Sequence, residues 1–286
     1  MNYTIYIKNF AHIIWKWLLW VALRGALVFM ALYVLGPFLW MLISSFEPRV
    51  LLFSRPPTWF PPSLYIENYL VAFADPTIRL ALRNSILVAS FTSLIALLFG
   101  SLAAYAFARL RMHGRNLFFV LILATQMLPG IAILVPLYVT LRSLGLLYTY
   151  QGLILGNLTF TLPYVIWLLR AYFITVPPDI EEAACVDGCS RFGTIFRIVL
   201  PMSAPGFLST GIFAFIGAWN EFLLASVMTN NMTKTFTIRM SQFIGQSGIN
   251  YENMFASAVL GTIPVLLLAV IFQRYIVQGL TEGAIK

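Results

Sequence analysis

The sequence predicts an all-α polytopic membrane protein: six transmembrane helices with a cytoplasmic helix-turn-helix loop between the fourth and fifth. Three observations carry this. Of 286 residues, 60% are hydrophobic and 10% charged, with a mean hydropathy of +0.86, whereas a soluble domain carries about 25% charged residues. Six uncharged stretches are each long enough to cross a hydrocarbon core about 30 Å thick. One polar interruption, residues 179–201, holds the start and stop signals of two short helices.

The six stretches run Gly25–Phe46, Asn84–Ala108, Asn116–Leu141, Ser143–Leu169, Met202–Asn220 with a continuation past Glu221, and Asn253–Gln273. The first follows Lys8, Lys16 and Arg24 but is too long for a signal-peptide core and lacks a small-residue cleavage site, so it reads as an uncleaved span. The third and fourth meet across Arg142, which demands a tight turn around Leu144–Gln151. Between the first and second lies the longest excursion, Glu47–Arg83. Pro56, Pro57, Pro61 and Pro62 argue against a helix through its middle. Trp59, Phe60 and Tyr65 suit the headgroup level. Pro37, Pro129, Pro136, Pro163 and Pro264 fall within spans and bend them. No internal repeat is visible, so residues 1–286 form one domain.

Basic residues set the orientation. With the N-terminus inside, eleven of the eighteen Lys and Arg residues fall on the inner side, among them Arg109, Arg111 and Arg115 in one short loop. An even number of spans brings the C-terminus inside too. The formal net charge of +8 is accounted for by this flanking role; no basic patch with interleaved aromatics points to nucleic acid.

Within 179–201, Pro177 and Pro178 stiffen the entry, Asp179 is placed to cap a first helix, and Glu182 follows three residues on as the partner of a capping box. Ile180, Ala183 and Ala184 then share one face at i, i+3, i+4 spacing. Gly188 breaks this helix and Ser190 caps a second. Phe192, Ile195, Phe196 and Val199 line that second helix before Pro201 ends it. Cys185 and Cys189 are the only cysteines, far from His12 and His113, and read as small residues of a docking surface rather than metal ligands. No Gly-x-x-x-x-Gly-Lys-Ser/Thr loop exists, and none of the four lysines follows a glycine. The chain is therefore expected to carry no ATP site and no cofactor of its own. Glu221 is the one acid well inside an apolar run, costly unless paired or protonated, and so either a gate or pathway residue or a helix-packing group in a polar cavity. Asn84, Gln126, Asn157 and Asn220 are pathway residues or interhelical glue.

The order Glu182-Ala183-Ala184, three residues, Gly188, nine residues, Ile198-x-Leu200-Pro201 resembles the signature loop of bacterial ABC-importer permeases. The resemblance extends to Asn84-Ser85, to Ala103–Arg109, to Met127-Leu128-Pro129, to Ile166–Arg170, to Val186-Asp187-Gly188, to Trp219–Phe222 and to the tail Gly279–Lys286. Together these look like the permease subunit of a carbohydrate-uptake importer, maltose-type and MalG-like. The resemblance implies that residues 179–201 are a coupling helix docking on a separate ATPase, through Asp179, Glu182, Ala183, Ala184, Asp187, Gly188, Ile198, Leu200 and Pro201. It implies that the tail, Gly283 and Lys286 included, reaches the ATPase dimer interface. The implied complex holds a second homologous permease, two cytoplasmic ABC ATPases binding ATP and Mg, and a periplasmic or lipoprotein solute-binding protein. It sits in the lipid of the bacterial cytoplasmic (inner) membrane, both termini of this chain cytoplasmic. A sugar, oligosaccharide or polyol is the implied solute, glycerol phosphate an alternative. An ion-coupled carrier would need more intramembrane ionisable groups than one acid.

Overall fold

The computed structural model describes residues 3–282 except 57, 58, 60, 246 and 247. Four helices are long and apolar enough to cross a membrane: Trp15–Ser44, Pro76–Arg109, Tyr150–Thr175 and Tyr251–Gly279. Two bent pairs pass the same test together, Arg115–Met127 with Gly130–Ser143 at 101° and Arg191–Met202 with Ala204–Trp219 at 87°, so the count reaches six if each pair is one span. The described residues fall into two units: the N-terminal segment through Ala72 with Asn250–Val259, and Phe73–Ile249 with the segment from Leu260.

The first unit contains α1 (Tyr3–Ser44) and α2 (Arg49–Leu52), and α3 (Glu67–Ala74) starts within it. Helix α1 starts well before the uncharged stretch, taking up Lys8, Lys16 and Arg24; the Arg24 guanidinium lies 3.7 Å from the Trp20 ring centre. A cation above an indole face is a stable way to carry charge within an apolar helix. No helix covers Pro56, Pro61 or Pro62, Pro57 lies outside the described residues, and Trp59 meets Trp40 edge to face. Phe60 lies outside the described residues. Asn68, buried, donates its amide hydrogens to the Ser45 and Glu47 carbonyls, which closes the end of α1.

The second unit is built on α4 (Pro76–Arg109) and α7 (Tyr150–Thr175), with α11 (Ala204–Trp219) against both. Ala81, Ser85, Ala89, Thr92, Ala96, Gly100 and Ala104 recur on the buried side of α4. Small residues at this spacing let helix backbones approach where lipid offers no hydrophobic drive. Two core clusters stand out among the described residues. One joins Ala96, Tyr105, Leu169, Phe173, Ile195 and Val199 near the 179–201 loop. The other joins Val88, Leu134, Leu153, Leu224, Met228 and Ile238 at the opposite end. At Gly206, the start of α11 lies so close to α7 that a Cβ would come within 2.2 Å of the Tyr172 ring.

Three element boundaries differ from expectation. The Asn116–Leu141 stretch is broken: α5 (Arg115–Ala124) leads into a 3-10 turn, Thr125–Met127, and α6 (Gly130–Ser143) starts after Pro129. Proline excludes its predecessor from helix, and Leu128 is extended with ψ 136°. The fourth span starts at Tyr150 rather than Ser143. The turn before it uses positive φ at Gly145 and Tyr148, and Thr149 caps α7 through Gly152 N–H. The fifth run starts at Ala204, after a break at Ser203 where Pro205 has no N–H to continue the preceding helix, and it does not continue past Glu221: residues 220–222 separate α11 from the next helix. Beyond α11 come α12 (Leu223–Met228), α13 (Phe236–Ser241), a two-residue antiparallel pairing of Ile244–Gly245 with Gly248–Ile249, and α14 (Tyr251–Glu282).

Asp75 caps α4, accepting from the Thr77 N–H and hydroxyl at 2.7 Å each, and meets Arg239 of α13 at 3.1 Å. Burial alone would raise the Asp75 carboxyl, but the Thr77 hydrogen bonds and the Arg239 guanidinium outweigh it and hold it below its ordinary value. A depressed folded-state pKa stabilises above the unfolded value, ~3.9, and that contribution is lost as pH falls through the folded value. Asn also caps helices, so Asp75→Asn should lower the melting temperature at pH 7 by removing the charge that the Thr77 donors and Arg239 engage. The gap to the parent should narrow as pH falls below about 4. A gap unchanged down to pH 3 in thermal melts would exclude a role for the charge.

Candidate functional site

Residues 177–203 form a bracket. Helix α8 (Pro178–Val186) starts with Pro178 at its first position and Pro177 as N-cap, and no side chain caps it. The expected capping box of Asp179 and Glu182 is therefore absent. Proline is preorganised for the first helical position, which moves the start one residue upstream of where Asp179 would cap. Asp179 and Glu181 instead occupy the first turn, where carboxylates suit the helix dipole.

Gly188 ends α8 as expected, with φ +83°. Gly188 N–H donates to the Cys185 carbonyl at 3.1 Å and Cys189 N–H to the Ala184 carbonyl at 2.9 Å, the paired bonds of a Schellman motif. Ser190 caps α9 (Arg191–Thr194), accepting from Gly193 N–H at 3.2 Å. A π-helical turn, Ile195–Val199, follows, then α10 (Leu200–Met202). Pro201 does not end the helix. The wider turn ahead of it relieves the clash of its ring with the carbonyl four residues back, and the break falls at Ser203.

Nor do Ile180, Ala183 and Ala184 share one face. Ala184, 8% exposed, turns inward with Glu181, 7% exposed, while Ile180, Glu182, Ala183, Val186 and Asp187 face outward. On the second limb Ile195 and Val199 are buried, Ile198 and Leu200 partly so, and Phe192, Phe196 and Pro201 are exposed. The outward side thus presents Ile180, Val186, Phe192 and Phe196, all large apolar groups. Cys185 is exposed on it; Cys189 is half-buried, its sulfur 2.7 Å from where a Cβ at Gly193 would stand.

The inward carboxylate is the functional group that sequence reasoning missed. Glu181 Oε1 accepts from Arg109 Nε at 2.6 Å, and its Oε2 accepts from the Tyr105 hydroxyl at 2.9 Å. Arg109 Nη2 also donates to the Val176 carbonyl where α7 gives way to α8. The side chains of Arg109 and Glu181 are 16% and 9% exposed, so losing one partner alone should cost about 3–5 kcal/mol. The available signals were the doubled glutamate, the i, i+3 spacing of Glu181 and Ala184, and Tyr105 four residues before an arginine closing an apolar run.

Farther along the second unit lies a cavity of about 320 Å³ lined by Asn157, Phe160, Thr161, Tyr164 and Glu221 among apolar groups. Glu221 stands at the break after α11. Its two oxygens accept the N–H groups of Leu224 and Ala225 at 2.6 and 2.9 Å, and its carbonyl accepts from the Thr237 hydroxyl. A carboxylate in an apolar run is thus stabilised by the first turn of α12. Asn157 donates to the Leu153 carbonyl of its own helix, and Tyr164 donates to the Thr210 carbonyl.

The other predicted pathway residues are elsewhere. Asn84 is buried and fully engaged: its amide donates to the Met232 and Lys234 carbonyls at 2.9 Å each and its oxygen accepts from Tyr150. Asn220 is exposed at the end of α11. Gln126, exposed at the α5–α6 break, donates to the Phe160 carbonyl. Helix α14 continues through Glu282, and the Gly279 carbonyl accepts from the Tyr172 hydroxyl. Gly283 and Lys286 lie outside the described residues.

Residues 72–282 match the family described as binding-protein-dependent transport system inner membrane component. The chain belongs to this family. Among its relatives is the sulfoquinovosyl glycerol transport system permease protein SmoH of Agrobacterium fabrum, 39% identical over 88% of this permease and 89% of its own length. The trehalose/maltose transport system permease protein MalG of Thermococcus litoralis is 38% identical over 91% and 94%. The trehalose transport system permease protein SugB of Mycobacterium tuberculosis is 36% identical over 89% and 93%. In fold, the permease is similar to a bacterial ABC transporter involved in importing the acidic polysaccharide alginate, with a TM-score of 0.78 at 21% identity, over 90% of this chain and 96% of that one.

Proposed function

We propose that this permease forms half of the translocation pathway of an ATP-driven, binding-protein-dependent carbohydrate importer, six spans in the cytoplasmic membrane with both termini inside. The observation that carries the coupling role is the outward apolar side of the bracket. Val186 is 88% exposed and Phe192 64%, and groups of that size at the end of a stiff helix pair suit burial in a protein cleft. Residues 179–201 are the coupling loop, with Asp179, Glu182, Ala183, Asp187 and the aromatic pair meeting a separate ATPase and Gly188, Ile198, Leu200 and Pro201 fixing the bracket's shape. The tail 279–286, with Gly283 and Lys286, reaches the ATPase pair. ATP and Mg bind on the partner chains. A second permease completes the pathway and a solute-binding protein delivers the solute. Alternating access follows when closing ATPases draw the bracket inward and the attached helices tilt.

The solute class rests on the relatives, whose names speak of sulfoquinovosyl glycerol, trehalose and maltose, and on the cavity. Among the described residues its lining carries Asn157, Thr161, Tyr164, Glu221 and Phe160 and no basic side chain. Hydroxyl-binding groups beside an aromatic ring suit a sugar or polyol; a phosphate ester would meet one carboxylate and no cation, which disfavours glycerol phosphate.

The test is reconstitution. The purified permease alone should hydrolyse no ATP, and proteoliposomes should take up sugar only with both permeases, the ATPase pair, ATP and the loaded binding protein. ATP turnover by the isolated chain, after contaminating ATPases are removed, or uptake driven by an ion gradient without ATP, would refute the assignment.

A further inference from the structure

Helix α4 differs from the other long elements of its unit. The segment Arg115–Met127 meets α6 at 101° and the segment Arg191–Met202 meets α11 at 87°, and α7 contains Pro163. Helix α4 runs 34 residues with no proline after its first position. Kinks arise at prolines and inserted turns, so α4 is the stiff member, with ~37 Å between Asn84 and Arg109 at 1.5 Å per residue.

Both of its ends are gripped by side-chain hydrogen bonds rather than by packing alone. At the bracket end, Arg109 and Tyr105 hold Glu181 of α8, and Arg109 also holds the Val176 carbonyl. At the opposite end, Asn84 holds the Met232 and Lys234 carbonyls, the Ser85 hydroxyl accepts from Phe236 N–H at 2.8 Å, and Asp75 holds Arg239. The segments joined are far apart in sequence. Residues 176–181 join α7 to the bracket; residues 232–239 lie at the opposite end of α4.

We propose that α4 is a strut that carries displacement of the bracket to the 229–239 loop, with Glu181, Arg109 and Tyr105 as the positioning residues that prevent slip. This rests on the importer reading, and it adds a route that chain connectivity does not supply. The bracket is covalently continuous with α7 and α11, so α4 follows it only through contacts. Apolar surfaces of small residues slide at little cost, being non-directional; a buried carboxylate engaged by a guanidinium and a phenol has fixed donor directions. The strut therefore depends on the ionic grip and not on helix packing.

The experiment uses the reconstituted complex and a doubly apolar variant, Arg109→Met/Glu181→Met. Replacing both partners of a buried ion pair keeps packing and leaves no orphaned charge, so assembly, followed by size-exclusion chromatography and thermal melting, should stay near parental. Two readouts should then fall: solute transported per ATP hydrolysed, at least fivefold, and the change in hydrogen exchange of residues 229–239 on ATP binding. Tyr105→Phe, which removes one hydroxyl, should lower the transport ratio about twofold. If the double variant keeps both readouts, or loses transport while the loop still responds to ATP, the strut is overturned. Should the double variant fail to assemble, Tyr105→Phe decides alone, and a parental transport ratio and loop response there overturn the proposal. The parent assayed in parallel keeps the two readings apart: absent ATP-driven uptake by the parent overturns the importer reading and the strut together, whereas normal uptake by the parent beside an unchanged variant overturns only the strut.

Discussion

Gly188→Val is expected to reduce coupled transport at least tenfold while leaving the permease inserted and its helices folded. The residue sits at φ +83°, and nothing lies within 4 Å of where a Cβ would stand. No steric clash with the surroundings is involved, so the whole effect is local backbone strain. The left-handed conformation costs an L-residue about 1–2 kcal/mol, and a β-branched side chain is the least tolerated there. Relief requires that the Schellman bonds from Gly188 and Cys189 to α8 be given up, and with them the fixed angle between α8 and α9. Because Gly188 lies between the helices Pro178–Val186 and Arg191–Thr194 and touches nothing else, the strain is confined to the bracket. Substrate-stimulated ATP hydrolysis by the assembled complex should fall together with uptake. Gly188→Asn is the control: asparagine visits this conformation readily and should retain more than half of parental transport. Normal coupled transport by an assembled Gly188→Val complex would mean that the angle of the bracket does not matter.

The contrast between Gly188 and Asp179 shows which parts of this fold the sequence makes legible. A glycine followed by serine ends one helix and caps the next through groups within a few residues, and both appear where the spacing puts them. Asp179 failed as a cap because Pro178 competes for the same turn, a local signal that outranks it. The breaks at Pro129 and Pro205 were equally local: in each case the proline starts a new helix instead of bending an existing one. Apolar length was legible because a lipid core demands it, yet length is blind to a break of 101° within the third stretch.

What could not be read was pairing at a distance. Two adjacent glutamates, Glu181 and Glu182, look alike in sequence; which one turns inward depends on Arg109 and Tyr105, more than seventy positions away. Asn84 is similar. Its type and setting fit a polar pathway, and its actual partners are carbonyls some 150 residues downstream, so it fastens a loop. Glu221 was legible as a costly acid, and the structure adds what offsets the cost: two backbone N–H groups and a place on the cavity wall.

That double position makes Glu221→Leu the other substitution of large effect. Charge-assisted hydrogen bonds contribute about 1.5–3 kcal/mol each, and the two from Leu224 and Ala225 share one carboxylate, so their loss is not additive; ~3 kcal/mol of destabilisation is expected in all. Helix α12 would loosen, and with it Leu224, Ala225 and Met228, which are buried in the second core cluster. Glu221→Gln separates the roles. The amide keeps one acceptor for Leu224 or Ala225 and turns an NH2 toward the other N–H, so roughly half the stability loss should remain. The cavity simultaneously loses the one carboxylate among its described lining residues. If Glu221 contacts solute, Glu221→Gln should raise the KM for uptake severalfold with the melting temperature only partly lowered, and Glu221→Leu should abolish uptake even at temperatures where the complex stays assembled. If Glu221→Gln lowers the melting temperature and leaves KM at the parental value, the carboxylate is a cap for α12 and does not touch the solute. Uptake at the parental rate and KM by both variants, measured in proteoliposomes with the loaded binding protein, would remove Glu221 from the pathway.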